Sequence, residues 1–262
     1  MADRLDQYLV AHGLVETRTK AQRRIGAGDV TVNGHVVTKV STPVPDGAEV
    51  LVRGAVDYVG RGALKLEAAL HQWDISVEGL RVLDIGASTG GFTQVLLNHQ
   101  AAHVLALDVG HNQIHHTLRT DPRVTVWEGV NARTLTPEWW SEHQGGVVDC
   151  AVVDVSFISL AQIIPPVVHT VGLTPWVCLV KPQFEVGRTR IHEGLSTNPD
   201  DHEQALNQVI EVAERVGLYL GGVMASPITG EAGNREYLCW FDPTPSRNQT
   251  QWTHVIREVV HS

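Results

Sequence analysis

Between Arg81 and Pro182 the chain repeats one pattern five times: an apolar run rich in β-branched residues, then a stretch of helical periodicity. The runs are RVLDIG, HVLALDVG, VTVWEG, VDCAVVDV and WVCLVKP. Strands that are apolar on both faces must be covered on both faces, and intervening helices supply that cover. The pattern predicts an α/β fold with a mostly parallel sheet. Two more strands follow, LYLGGVMAS and REYLCWF, joined by the turn-rich PITGEAGN. A parallel crossover needs about a dozen residues, so this last pair is expected to be antiparallel. The seven runs together predict a Rossmann-like, seven-stranded sheet with one antiparallel strand.

The first part of the chain has a different texture. RLDQYLVAHGL places Leu5, Tyr8 and Leu9 on one helical face and ends at Gly13, a position suited to closing a helix. TRTKAQRRIGAG reads as a second short helix, capped by Thr17 and stopped near Gly26 or Gly28. DVTVNGHVVTKV alternates around Asn33-Gly34, a two-residue hairpin signal, and AEVLV is one more strand. The expected organisation is a small α+β domain over 1–53, a linker over 54–62 and a large domain over 63–262.

Charge divides along the same boundary. Residues 1–60 carry seven basic and seven acidic side chains, and the remainder carries 13 basic and 22 acidic ones, so the net charge of -9 lies in the second part. A uniformly basic nucleic-acid binder is excluded, although a local basic patch is not. Arg18, Lys20, Arg23 and Arg24 form such a patch on one short helix, and Arg4 can add to it. Cys150, Cys178 and Cys239 all fall within apolar runs and none belongs to a C-x-x-C pair, so they read as buried thiols of a cytoplasmic protein. The N-terminus lacks the apolar segment of a signal peptide, and no apolar run approaches a membrane span.

The loop in LDIGASTGGFTQ could hold one of three ligands. A mononucleotide P-loop requires G-x-x-x-x-G-K-[ST], and the lysine is missing. A nicotinamide fingerprint requires G-x-G-x-x-G, and Ser88 stands where the second glycine should be. S-adenosylmethionine has no pyrophosphate to cradle. It needs an acid ending the first strand and glycines that let the ligand approach the backbone. Asp84, Gly86, Gly90 and Gly91 meet that need, with Ser88 and Phe92 flanking them. Asp108, followed by Val109, ends the next strand where a ribose diol would lie. Glu128 and Asn131 end the third and are candidates for the adenine. Phe157 is a candidate wall of the same pocket.

Ligands of open parallel sheets lie beyond the carboxyl ends of the strands. Charged residues interrupt the apolar pattern there. Asp154 closes CAVVD, Lys181 closes WVCLVK and Glu236 opens EYLCWF. The start of an antiparallel strand shares the edge where its parallel neighbours end. Lys65 lies on ALKLEAAL, a helix that must pack on the sheet to bury its leucines. Two lysines and two acids are therefore expected at one rim. His111 and His115 have the spacing of a metal pair on a helix but lack a third ligand, so no metal is expected. Trp139 and Trp140, after Pro137, are expected to pack on the sheet rather than stack a base.

GRGALKL, LDIGASTGGFT, DVSFISL, VKPQFEVG and GNREYL, in that order, resemble the hemolysin-A-like (TlyA) family of ribosomal RNA 2′-O-methyltransferases, whose catalytic domain is similar to the FtsJ/RrmJ type. RLDQYLVAHGLVETRTKAQRRIGAGDVTVNG resembles the S4 RNA-binding domain of that family. The resemblance covers nearly the whole chain. It implies an S-adenosylmethionine-dependent enzyme that methylates cytidine ribose in 16S and/or 23S RNA within ribosomal subunits. The family's Lys-Asp-Lys-Glu tetrad falls on Lys65, Asp154, Lys181 and Glu236. The basic helix would grip RNA phosphates, with Arg61 continuing the patch toward the active site. Gly60 departs from the family, which carries a serine before RGA. The competing expectation is a hemolysin-like RNA-binding protein without methyltransferase activity. The membrane-active reading that the family name invites finds no span or basic amphipathic helix in the sequence.

Overall fold

The computed structural model forms two compact units, residues 1–57 and 58–262. It describes residues 3–12, 14, 15, 17–45, 47–52, 58–187, 190, 191, 194–230, 232–245 and 252–262. Gly13, Arg53 and residues 54–57 of the expected linker lie outside the described residues.

In the small unit, α1 (Leu5–Ala11) and α2 (Arg18–Gly26) pack on a three-stranded sheet of β1 (Val30–Val32), β2 (His35–Val36) and β3 (Val50–Val52), with β1 in the centre. Asn33 and Gly34 both have positive φ, at 50° and 79°, as the tight hairpin between β1 and β2 requires. Thr17 caps α2 by accepting from the Lys20 N–H. Leu5, Leu9, Ala21, Ile25 and Val30 form the core. Asp6, fully buried on α1, accepts from Arg18 and Gln22 of α2 and from Arg4. Burial alone would raise its pKa, but these three donors outweigh it and hold the carboxyl at about 2. An ionised carboxylate thus ties the two helices together.

The large unit has one seven-stranded sheet. Its strands are β4 (Arg81–Ile85), β5 (His103–Asp108), β6 (Val124–Glu128), β7 (Cys150–Val153), β8 (Trp176–Val180), β9 (Tyr219–Ala225) and β10 (Tyr237–Asp242), in the spatial order β6-β5-β4-β7-β8-β10-β9. The first five pair in parallel. β10 enters between β8 and β9 and runs antiparallel to both. α3 (Ala63–Gln72) and α4 (Gly91–Asn98) cover one face, where Leu66, Val95, Val104 and Val152 are buried together. α7 (Ile164–Val171), α9 (Pro199–Arg215) and α10 (Trp252–His261) cover the other, around Trp176, Leu206 and Tyr237. Cys150, Cys178 and Cys239 are all free and buried within these layers, and burial pushes the Cys150 thiol up to about 12.

β5 follows β4 on one side and β7 adjoins it on the other, so the strand order reverses between β4 and β7. Such a reversal opens a crevice at the carboxyl ends of the strands. The glycine loop leaves β4 there and Asp154 leaves β7 there. The register sets Tyr237 opposite Val180, which brings the residue before β10, Glu236, to the same edge as Lys181.

Candidate active site

The loop after β4 is shaped by close approach of backbone to backbone. Gly86 has a φ of +86°, and a Cβ on it would stand 2.4 Å from the Asp154 carbonyl oxygen. Only glycine fits this position. The Gly86 and Ala87 N–H groups donate to the Leu107 carbonyl. Asp108 then accepts from the Ser88 N–H at 2.8 Å and from the Gly110 N–H at 2.7 Å, which pins the tip of the loop to the end of β5. Asp84 lies beneath the loop and is fully buried. Thr93 donates to its Oδ2 at 2.6 Å, while among the described residues no donor reaches Oδ1. Burial, reinforced by the charges of Asp154 and Asp108, pushes its pKa up to about 7.

Gly90 is set by packing as well. Its φ of +97° starts α4, and a Cβ there would meet Leu118 Cδ1 at 2.2 Å. It is a glycine because the segment around Leu118 packs against it, and it does not line the crevice.

The crevice holds a cavity of about 660 Å³. Gly86, Ser88, Gly91 and Phe92 line one side, and Lys65, Asp154, Lys181 and Glu236 line it as well. These four form two buried ion pairs. Lys65 Nζ lies 2.5 Å from Glu236 Oε2, and Lys181 Nζ lies 2.6 Å from Asp154 Oδ1. Lys181 also donates to Ser156 Oγ at 2.9 Å. Both lysines and Glu236 are more than nine-tenths buried. Charges taken so far from water persist only when paired, and breaking such a pair costs about 3–5 kcal/mol. Two lysine–carboxylate pairs facing one cavity beside a ligand-type loop give it both proton-transfer groups and fixed positive charge.

Comparison with known proteins gives this arrangement a context. The model of the FtsJ-like methyltransferase family matches residues 58–242, and the S4 domain model matches residues 3–50. The chain belongs to the FtsJ-like methyltransferase family. It is 45% identical over 242 residues to the 16S/23S rRNA (cytidine-2′-O)-methyltransferase TlyA of Mycobacterium tuberculosis, covering 91% of this chain and 89% of that one. It is 42% identical over 240 residues to Hemolysin A of Brachyspira hyodysenteriae, covering 91% and 99% of the two chains. A solved Streptococcus thermophilus structure that carries the hemolysin name superposes with a TM-score of 0.72 at 40% identity, covering 99% of this chain and 94% of that one. Among the described residues no helix is long and apolar enough to cross a membrane.

Against this family background the remaining expected residues separate. Phe157 stands at the cavity mouth, 91% exposed, with a φ of +64°, and its ring packs beside Phe184. A bulky residue rarely takes that backbone region, so the exposure is enforced by the turn. Arg61 lines the cavity too. Glu128 does not. It accepts from the N–H groups of Asn112, Gln113 and Ile114 and from Arg119. Burial raises its pKa, but Arg119 and the three backbone donors prevail and hold it at about 2. Four donors fill the lone-pair positions of a carboxylate. Glu128 orders the loop after β5. Asn131 is exposed and caps the short turn after β6 through the Arg133 N–H. Val109 is exposed beyond Asp108 and lies off the cavity lining. His115 turns back onto its own helix to accept from the Thr117 N–H, and His111 packs over Gly129. Trp140 is buried, with Trp127 edge-on to both it and Trp139.

The basic helix of the small unit is also corrected. Arg24 is 6% exposed and pairs with Asp29, so it belongs to the interior. Arg4 and Arg18 each present Nε to Asp6. Arg23 is exposed and Lys20 half-buried.

Three residues around the cavity escaped the sequence reading. Ser156 bonds Lys181. Glu185, 7% exposed on α8 (Pro182–Glu185), accepts from Ser159 Oγ and from the Leu160 N–H at 2.9 Å, tying the segment after Asp154 to the turn after Lys181. Burial raises the Glu185 pKa and those two bonds only partly offset it. Gly230 is the third: a Cβ on it would stand 2.6 Å from Glu236 Oε1. Gly60, the departure from the family pattern, would press a Cβ to 2.6 Å from Thr89 Oγ1, so a serine here would displace Thr89.

Proposed function

We propose that this chain transfers a methyl group from S-adenosylmethionine to the ribose 2′-hydroxyl of cytidine in ribosomal RNA. The observation that carries the reading is the joining of two buried lysine–carboxylate pairs and the glycine loop around one cavity. A relative 45% identical over nine-tenths of the chain is named a 16S/23S rRNA (cytidine-2′-O)-methyltransferase, which supports it. The residues fit the cofactor. The cavity has the size of a nucleoside-amino acid site. The start of α4 opens onto it at Gly91 and Phe92, where a helix N-terminus favours a carboxylate. Asp108, which like Gly90 and Val109 lies off the cavity lining, spends two acceptor positions on Ser88 and Gly110 and has two left for a diol reaching the end of β5.

When bound, S-adenosylmethionine supplies a methyl group on a positively charged sulfur. A ribose hydroxyl attacks it only as its proton leaves. Lys181, at the carboxyl end of β8, takes that proton as a neutral amine, having first given up its own ammonium proton to solvent. Lys65, fixed by Glu236, faces its remaining N–H groups to the oxygen as negative charge develops. The pairing carboxylates keep the cluster near neutral, so two lysines can share one rim. Phe157 offers an exposed ring face to the nucleoside. Lys20 and Arg23 of the S4 unit, with Arg61 at the cavity, contact phosphates of the ribosomal subunit.

The test is methyl transfer from labelled S-adenosylmethionine to ribosomal subunits. Lys181→Ala is expected to abolish it while cofactor affinity and fold persist. Wild-type turnover in that variant would overturn the assignment. Mapping 2′-O-methylation with and without the protein then identifies the nucleotide.

A further inference from the structure

Glu236 stands just outside the paired part of the sheet. The pairing of β10 with β8 and with β9 begins at Tyr237, one residue later, and the Glu236 carbonyl accepts one further bond from the Ser226 N–H at 2.8 Å. Its side chain is nevertheless buried and meets Lys65 at 2.5 Å. The residues on either side of it show how. Successive side chains of an extended segment take opposite faces. Asn234 accordingly lines the cavity with Glu236, while Arg235 and Tyr237 reach the layer of α9 and α10.

All three neighbours are tied to other segments. Asn234 accepts at Oδ1 from the Ser196 N–H at 2.9 Å and donates from Nδ2 to the Gly194 carbonyl at 2.9 Å. Arg235 donates to the Val260 and Val259 carbonyls in the last turn of α10, at 2.8 and 3.0 Å. The Tyr237 hydroxyl lies 2.8 Å from His202 Nδ1, and His202 Nε2 lies 2.8 Å from the Ser196 carbonyl oxygen. A carbonyl only accepts, so Nε2 carries the hydrogen, and Nδ1 of the neutral ring accepts from the Tyr237 O–H. The donors then run one way, from Tyr237 to His202, from His202 to Ser196 and from Ser196 to Asn234. The main chain from Asn234 to Tyr237 closes this run into a ring, and Glu236 lies within the closing segment. All four members are buried. Buried bonds of one sense reinforce one another, and breaking one strands the partner it leaves behind.

We propose that this ring is the positioning device of Glu236, with Asn234, His202 and Tyr237 as positioning residues that set its carboxylate on Lys65. This rests on the reading of Lys65 and Glu236 as members of the catalytic set. The ring fixes the main chain on both sides of Glu236 against residues 194–196 and α9, so the carboxylate keeps its direction where the ladders have ended. Gly230 completes the seat. Its N–H donates to the Asn234 carbonyl at 2.8 Å, and a Cβ on it would stand 2.6 Å from Glu236 Oε1.

The experiment measures steady-state methylation of ribosomal subunits by the full chain, below the melting temperature of every variant. Tyr237→Phe, Asn234→Ala, the double variant and Glu236→Ala are compared. Tyr237→Phe removes one oxygen and is expected to lower kcat roughly 10-fold, with KM and S-adenosylmethionine affinity within about twofold. Asn234→Ala opens the ring at its other end and is expected to lower kcat by a similar factor. A ring opened once is already open, so the double variant is expected to be within about twofold of the slower single one. Tyr237→Phe keeps the packing of the ring and decides alone if Asn234→Ala does not fold. Wild-type kcat in Tyr237→Phe beside a slow Glu236→Ala would overturn this proposal alone. Single effects that multiply in the double variant would make the ring two separate contacts and overturn it as well. So would a raised KM or weakened cofactor affinity at unchanged kcat, which would make the network a ligand seat. Wild-type kcat in Glu236→Ala would instead overturn the catalytic reading on which the proposal rests.

Discussion

Replacing Asp84 by Asn should make the large unit's stability much less dependent on pH. The carboxyl is fully buried, has one side-chain donor in Thr93 and titrates near 7 instead of its ordinary 3.8. In the unfolded chain it ionises near 3.8, so between that pH and 7 the folded state holds a proton that the unfolded state has released. Stability therefore falls as pH rises through this window and levels off above it. Each pH unit corresponds to about 1.4 kcal/mol, so the full penalty is roughly 4 kcal/mol, of which about 2 lies between pH 5.5 and 7. Asn keeps the acceptor for Thr93 and removes the charge. The expected result is that Asp84→Asn gains on the wild type by about 2 kcal/mol as pH is raised from 5.5 to 7.5. Denaturant unfolding followed by tryptophan fluorescence measures it, because all seven tryptophans lie between Trp73 and Trp252 and report on this unit alone. Taking the difference between the two proteins cancels the histidines, which titrate in both. A difference that stays constant from pH 5.5 to 8.5 would refute the reasoning.

Gly230→Ala should push Glu236 off Lys65 and lower turnover about tenfold with little loss of cofactor affinity, as read by methyl-transfer kinetics. Glu185→Ala strands the buried Leu160 N–H and should cost about 1–3 kcal/mol in denaturant unfolding, with Glu185→Gln recovering part of it. In the small unit, Lys20→Ala with Arg23→Ala should weaken ribosomal RNA binding and flatten its salt dependence by somewhat less than one unit of slope per contact. Arg24→Ala should instead lower the melting temperature of that unit, and a salt slope changed by Arg24→Ala alone would reverse this division.

The sheet was legible because its strands are apolar on both faces and its turns carry the right glycines. The rim was legible for a related reason: Asp154 and Lys181 break apolar runs at the ends where parallel strands stop. The same rule does not discriminate at Glu128. An acid at a strand end looks alike whether its donors come from a ligand or, as here, from the backbone at 112–114 and Arg119. Arg24 was readable and was missed. It lies three residues after Ala21 and one before Ile25, both buried, on the inward stripe of α2. Ser156, Glu185 and Gly230 were beyond a single sequence. Each acts on a partner from another segment, and Gly230 looks like any turn glycine until the carboxylate beside it is seen.

The position of β10 has a consequence for how the protein is made. A chain emerges N-terminus first. β8 and β9 are complete before β10 exists, yet β10 must end up between them. Until it arrives the two strands cannot hold their final spacing, and Lys65 faces no Glu236. A product terminated before Glu236 therefore lacks more than an edge: it lacks the wedge that joins two parts of the sheet and the carboxylate that pairs with Lys65. Shortened chains should grade sharply from inactive to active rather than lose activity by degrees. During synthesis the large unit stays without function until its last strand is inserted.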